Sequence, residues 1–190
     1  MSRISVNTIQ NTSGVTLVSN TGGNVVGSQF CYMTEQLYIR TDVDGGGGTL
    51  IPGLTMCITP KKSTNIIICE WMVSGEVYND NMFVIHRKIG NGTWGLITDG
   101  GQQGYNNDVG NVRWSGITPG WYDPDFSSTP QTNNIQYHCV AGTTSTLCFG
   151  VAIRSTSSTY WHPINRTYNS TGQTSYENSA STGYLFEIST

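Results

Sequence analysis

The stretch Asn65–Arg87, NIIICEWMVSGEVYNDNMFVIHR, decides the fold class of this chain. It holds two apolar runs rich in β-branched and aromatic residues, Ile66–Val73 and Met82–Ile85. Residues 74–81 between the runs are mostly polar and include a glycine, which is typical of a loop between two strands. The first run is short and almost continuously apolar, which favours a strand covered on both faces. The stretch therefore predicts a central hairpin with further strands around it.

The overall composition also indicates β-structure. Ser, Thr and Asn make up 60 of the 190 residues, there are 23 Gly, and only 11% of residues are charged. Helical proteins build their solvated faces from Ala, Leu, Glu, Lys and Arg, and this chain has few of them. Turn signals at short intervals separate roughly eight strand-like runs. We therefore predict an all-β fold, a jelly-roll-like antiparallel β-sandwich.

The first 27 residues differ from the rest of the chain. Short apolar runs on either side of Asn-Thr-Ser-Gly at 11–14 predict a hairpin of two short strands. A hairpin of this size is not stable alone, so we expect another chain or a larger assembly to complete it. We divide the chain into a docking and oligomerisation segment, residues 1–27, and a sandwich domain, residues 28–190. The apolar positions that we assign to docking are Ile4, Val6, Ile9, Val15 and Leu17.

Charge and hydropathy argue against several classes of function. The net charge is −3 and the nine Lys and Arg are scattered, which argues against nucleic-acid binding. The sequence has no apolar run of about 18 residues, so we expect no membrane insertion. The N-terminal residues lack the apolar core of a signal peptide, so we expect that the protein is made in a cytoplasm and either stays there or leaves by a route that needs no signal peptide.

The residue types that bind metals or form disulfides show no pattern. No two cysteines have C-x-x-C spacing, and in a chain without a secretion signal we expect buried free thiols at Cys31, Cys57, Cys69, Cys139 and Cys148. The three histidines are far apart. The short motif Asp42-x-Asp44 lacks the glutamate that a calcium loop needs, because that position is Gly53. We predict neither a metal nor a cofactor.

Aromatic residues on two long loops, residues 99–130 and 155–182, are the main candidates for binding. Loops of this length are usually functional when they occur in a compact domain. Their aromatic side chains alternate with polar ones, a mixture that stacks on sugar rings or anchors protein contacts. Packing of the loops onto the sandwich explains the same residues equally well. The candidates for glycan or partner contact are Trp114, Trp121, Tyr122, Tyr160, Trp161 and Tyr168.

One pair of carboxylates admits an enzymatic alternative. Asp123 and Asp125 flank a proline beside Trp121 and Tyr122, as the acid and nucleophile of a glycosidase could. Two aspartates around a proline more often form a turn, and catalytic carboxylates usually come from separate strands. The sequence also has no P-loop and no G-x-S-x-G motif. We therefore expect no enzymatic activity and keep a glycan-cleaving hydrolase as the less favoured alternative.

Short landmarks along most of the chain resemble proteins of marine and cyanobacterial tailed bacteriophages, namely tail-fibre and other virion structural proteins. The landmarks follow one another in the order expected for that group. They are Arg3–Gly14 (RISVNTIQNTSG), Leu54–Pro60 (LTMCITP), Ser63–Ile68 (STNIII), Phe83–Arg87 (FVIHR), Asn165–Tyr168 (NRTY) and Leu185–Ile188 (LFEI). The aromatic segment 99–130 departs from the pattern, so the group's binding surface does not carry over to it.

The resemblance implies a non-enzymatic virion component, commonly a homotrimer. The N-terminal segment would dock on other virion proteins and the sandwich would face outward, toward a host-surface polysaccharide. A tail fibre or fibre tip is the main hypothesis. A capsid decoration protein or tail adaptor is the first alternative, with the same fold at another place on the particle.

Overall fold

The computed structural model describes residues 8–10, 16–19, 23–41, 47–77, 81–97, 116–120, 129–155, 159–168 and 177–190. This part of the chain contains β-strands and no helix, and so no helix that could span a membrane. The strands are β1 (Thr8–Gln10), β2 (Thr16–Ser19), β3 (Val25–Met33), β4 (Leu37–Arg40), β5 (Thr49–Ile58), β6 (Ile66–Gly75), β7 (Asn81–Ile89), β8 (Gly95–Leu96), β9 (Thr118–Pro119), β10 (Gln131–Val140), β11 (Leu147–Ser155), β12 (Trp161–Ile164) and β13 (Ser181–Ile188).

Nine of these strands form two antiparallel sheets with a jelly-roll order. The first sheet has the order β10-β6-β13-β3. The second has the order β5-β11-β7-β8, and the short β9 also pairs with β7. The chain passes repeatedly from one sheet to the other, and its first and last sandwich strands, β3 and β13, are neighbours. This is the double-sheet arrangement of a jelly roll. The predicted all-β, jelly-roll-like sandwich is confirmed.

The two sheets enclose one hydrophobic core. Leu54, Met56 and Ile58 alternate along β5 and are all buried, as their spacing in the sequence predicts. Tyr137 of β10 and Phe149 of β11 meet between the sheets with ring centroids 6.0 Å apart. The core also receives buried side chains from β6, β7 and β13. Burial of this alternating apolar set is what holds the sheets face to face.

The two strands of the stretch Asn65–Arg87, β6 and β7, do not pair with each other, so the predicted hairpin is wrong. β6 lies between β10 and β13 in the first sheet, whereas β7 lies between β11 and β8 in the second. β6 pairs with β10 along its whole length, from Ile66 opposite Val140 to Gly75 opposite Gln131. The expected covering of β6 on both faces is also wrong, because Glu70 and Met72 are exposed. Each run is a central strand, but of opposite sheets.

Two of the five cysteines form a disulfide, which corrects the prediction of free thiols. Cys57 of β5 lies directly opposite Cys148 of β11, and their sulfur atoms are 2.03 Å apart. The sequence places these residues 91 positions apart, and only the strand order makes them neighbours. Cys31, Cys69 and Cys139 form no disulfide, as predicted, but only Cys69 is fully buried. Burial raises the pKa of Cys31 to about 11, so its thiol stays protonated.

The N-terminal strands β1 and β2 pair with each other in a separate two-stranded sheet. Of the residues assigned to docking, Ile9 lies in β1 and Leu17 in β2, while Ile4, Val6 and Val15 lie outside the described residues. β3 begins at Val25 and belongs to the first sheet. The docking role and the division of the chain at residue 27 stay predictions.

Glu70, His86 and Arg87 of the stretch Asn65–Arg87 do not form one buried polar group. We expect from the sequence that Glu70, His86 and Arg87 share one polar contact, because the stretch has the pattern of a buried hairpin. Glu70 is instead exposed on the first sheet, and the Nε2 atom of His86 lies 2.6 Å from the carbonyl oxygen of Gly47. That expectation is wrong because β6 and β7 belong to different sheets.

Candidate functional site

Two of the described aromatic candidates, Trp161 and Tyr168, contact Tyr38, a residue outside the predicted set. Tyr38 lies in β4, which pairs with β12 in a small separate sheet. The Tyr38 ring makes edge-to-face contacts with Trp161, at 6.0 Å between centroids, and with Tyr168, at 5.9 Å. Tyr160 directly precedes β12. The other three candidates, Trp114, Trp121 and Tyr122, lie outside the described residues.

Two arginines complete this group, which we name the Tyr38 cluster: Tyr38, Arg40, Trp161, Arg166 and Tyr168. The guanidinium carbon of Arg166 lies 4.2 Å from the centroid of the Tyr38 ring. That of Arg40 lies 5.1 Å from the centroid of the Trp161 ring. Both are cation–π distances. Arg166 is buried, whereas Arg40 is exposed and Trp161 keeps 39% of its surface exposed, so the cluster has a rigid inner end and an accessible outer end.

Asn165 anchors the cluster by joining several strands. Its backbone is left-handed, with φ 60°, a conformation that Asn tolerates better than most residues. Its buried Nδ2 donates to the carbonyl oxygens of Met33 at 2.9 Å and of Glu35 at 3.0 Å. Its Oδ1 accepts a hydrogen bond from Ser181 Oγ at 2.6 Å. Its backbone N–H donates to the carbonyl of Ser74. The residue next to Arg166 is therefore held from β3, β6 and β13 at once.

A buried carboxylate holds the other side of the cluster. Glu76 follows β6, and its side chain accepts a hydrogen bond from the backbone N–H of Tyr168. Its own N–H donates to the carbonyl of Arg166 at 3.2 Å. Burial raises the pKa of Tyr38, an effect that the nearby Arg166 charge opposes. These contacts fix Arg166 and the backbone of Tyr168 without a ligand, and a preformed support of this kind would lower the entropic cost of binding.

Burial of His162 in β12 predicts that the stability of the fold depends on pH. His162, next to Trp161 in β12, has no exposed surface, and neither ring nitrogen has a hydrogen-bond partner in the described part of the chain. Burial lowers the pKa of His162 from 6.5 to about 4. The folded chain therefore keeps this imidazole neutral in mildly acidic solution, while the unfolded chain takes up a proton.

We expect the free energy of unfolding to fall as the pH drops from 6.5 to about 4. Below about pH 4, His162 should lower the free energy of unfolding no further. The contribution of His162 reaches about 3 kcal/mol at its largest. Urea unfolding at pH 7 and at pH 4.5 measures it, and the His162→Leu variant should show a smaller difference between the two pH values. An equal difference in both proteins would show that His162 does not cause it.

The described residues offer no metal centre. Among them, no group of three or more His, Cys, Asp and Glu side chains could hold an ion. Asp123 and Asp125, the alternative catalytic pair, lie outside the described residues. The Tyr38 cluster is an aromatic surface with arginine hydrogen-bond donors, an arrangement that suits ligand binding and not metal chemistry.

A second surface, which the sequence predictions did not include, lies on the solvent side of the first sheet. We name it the outer sheet face, the outward-pointing residues of β10, β6, β13 and β3. Paired strands place its side chains in rows. One row is Gln136, Glu70, Tyr184 and Phe30, and the next is Asn134, Met72, Thr182 and Tyr32. The signal in the sequence was period-two spacing, as in Phe30-x-Tyr32 and Asn134-x-Gln136.

Comparisons with known proteins give a distant likeness to structures from infectious bursal disease virus. No protein-family model and no curated protein matches the chain. The VP2 subviral particle of infectious bursal disease virus has 10% identity and a TM-score of 0.42, over 97% of this chain and 37% of that one. The Gx strain of the virus gives 9% and 0.39, over 98% and 42%, and the Gt strain 12% and 0.38, over 97% and 38%. The chain thus spans about two fifths of these structures, and similarity this low establishes no shared function.

Proposed function

We propose that this chain is a non-enzymatic structural protein of a bacteriophage virion, a trimeric tail-fibre or fibre-tip component that attaches the particle to a host-surface glycan. The observation that carries the glycan contact is the Tyr38 cluster, where Trp161 keeps 39% of its surface exposed and the Arg40 guanidinium lies over its ring. Indole rings stack on the apolar faces of sugars, and a guanidinium donates hydrogen bonds to hydroxyl and carboxylate oxygens. The resemblance of the sequence landmarks to tail-fibre proteins supports the location on the virion. Jelly rolls occur in both capsid and lectin domains, so the fold is compatible with the proposal without establishing it.

Binding of the purified chain to host cells tests the role of the cluster. We expect Trp161→Ala to weaken binding roughly tenfold or more, because loss of an exposed tryptophan anchor typically costs at least 1–2 kcal/mol. Trp94→Ala is the matched control, since Lys88 lies 5.4 Å from the Trp94 ring at a different place on the fold. Equal binding by Trp161→Ala and the unaltered chain, with equal thermal stability, would contradict the assignment of the cluster.

Light scattering coupled to size-exclusion chromatography tests the trimer. The expected mass is three times the 20.7 kDa of one chain, and a chain that begins at residue 28 should lose this association. A monomer at all concentrations would contradict the trimer.

Antibody labelling of particles separates a fibre tip from a capsid decoration or a tail adaptor. The label would fall on the fibre, on the head or on the tail tube respectively.

A further inference from the structure

Most large apolar side chains that the described part of the chain exposes lie on one surface, the outer sheet face. Tyr184 is 49% exposed, Phe30 75% and Tyr32 65%. The Tyr184 and Phe186 rings stack on one another, nearly parallel, with centroids 6.3 Å apart. A contiguous exposed surface of aromatic residues marks a binding site more often than chance. The ordering of these residues in rows on a sheet makes the surface flat and preformed.

Polar side chains lie beside the aromatic ones in the same rows. A shallow pocket of about 330 Å³ is lined by the acidic Glu70, the amides of Asn134 and Gln136, the hydroxyl of Thr182 and the Tyr184 ring. Glu70, Asn134 and Gln136 are all exposed. A carboxylate and two amides together accept and donate hydrogen bonds, as the hydroxyl groups of a sugar require. Tyr184 supplies the adjacent flat ring.

The charge of this surface limits what it binds. None of the strands β3, β6, β10 and β13 contains a lysine or an arginine, so within these strands Glu70 has no strong cation beside it. Nucleic acid, an acidic sugar or an anionic lipid would place negative charge beside the Glu70 carboxylate, and these strands have no lysine or arginine to offset the repulsion. A second copy of the same face would bury Glu70 in a surface that also lacks lysine and arginine, which is costly. A neutral sugar avoids both costs, since its hydroxyl groups donate to the carboxylate.

We infer that the outer sheet face binds a neutral oligosaccharide, which lies across the strands along the row from Gln136 to Phe30. Four neighbouring strands span about 14 Å, the length of a short oligosaccharide. Tyr184 and Phe30 stack on sugar rings, while Glu70 and Gln136 bond their hydroxyl groups. This site is separate from the arginine-containing Tyr38 cluster and adds a second glycan contact to the proposed attachment role.

Binding of the full chain to immobilised neutral glucan and galactan oligosaccharides tests the inference, with uronic-acid oligosaccharides of matched length alongside. We expect binding to at least one neutral series, weakened roughly tenfold or more by Tyr184→Ala and by Gln136→Ala. Glu70→Gln should lower the preference for neutral over acidic chains by a similar factor. The control Ile89→Ala, an exposed apolar residue on β7 of the second sheet, should leave binding unchanged.

The other outcomes separate this inference from the proposed function. Absence of binding to every neutral series overturns the sheet site and leaves the Tyr38 cluster to be judged by its own cell-binding assay. Loss of neutral-sugar binding in Trp161→Ala but not in Tyr184→Ala assigns the sugar to the cluster and also overturns the inference. A fall in the native mass of Phe30→Ser to that of one chain shows that the face is a protein interface, which overturns it as well.

Discussion

Replacement of Asn165 by aspartate should lower the free energy of unfolding by about 3–5 kcal/mol, the cost of leaving a buried charge without a partner. The change keeps the size of the side chain but replaces the Nδ2 donor with an oxygen. That oxygen would face the carbonyl oxygens of Met33 and Glu35, which now accept hydrogen bonds at 2.9 and 3.0 Å. Two attractive contacts become repulsive at a site with no exposed surface. Thermal unfolding should show a midpoint lower by roughly 10 °C or more.

Two further variants separate the side-chain contacts from the backbone strain at Asn165. Asn165→Ala and Asn165→Gly both remove the side-chain hydrogen bonds, but only alanine is strained at φ 60°. We expect the glycine variant to be more stable than the alanine variant by about 1 kcal/mol. Asn91→Asp, at an exposed turn position, is the control and should change stability by less than about 0.5 kcal/mol. If Asn165→Asp behaves like that control, the described hydrogen bonds do not stabilise the fold.

Much of the fold could be predicted because local patterns decide it. The alternation of Leu54, Met56 and Ile58 shows which face of β5 is buried, whatever strand lies beside it. The sequence Gly90-Asn91-Gly92 has the pattern of a tight turn, and β8 follows it and pairs beside β7. Pairing is different, because it depends on distant parts of the chain. β6 and β7 are next to one another in sequence, yet β6 pairs with β10 and β13, which are of similar length to it.

The candidate site was only half predictable for the same reason. Trp161 and Tyr168 belong to residue types that mark binding sites, and they do lie together. Tyr38 joins them from more than a hundred positions away, through the pairing of β4 with β12, and no local pattern indicates that contact. On the outer sheet face, Glu70 has the sequence context of a buried residue, since its neighbours are Cys69 and Trp71. Period-two alternation turns it outward while both neighbours point into the core.

Removal of the Cys57–Cys148 disulfide should also cost the fold several kcal/mol. The bond closes a loop across 91 positions of sequence, and such long closures restrict the unfolded chain strongly. Native disulfides typically contribute about 2–4 kcal/mol in this way. We expect the variant with Cys57→Ser and Cys148→Ser together to unfold at a correspondingly lower urea concentration. A reducing agent should lower the urea concentration at which the unaltered chain unfolds by a similar amount, and it should not change that of the double variant.

A thiol titration decides whether the bond forms in the protein as isolated. The unfolded, unreduced chain should show the three thiols of Cys31, Cys69 and Cys139, and prior reduction should raise the number to all five cysteines. Cys31→Ser is the matched control, because it removes a free thiol without opening a loop and should keep the sensitivity to reducing agent. Five thiols without reduction would mean that the bond is absent, and the stability difference should then vanish with it. Because the bond needs oxidising conditions, a chain kept reduced in a cytoplasm should gain this stabilisation only after leaving it.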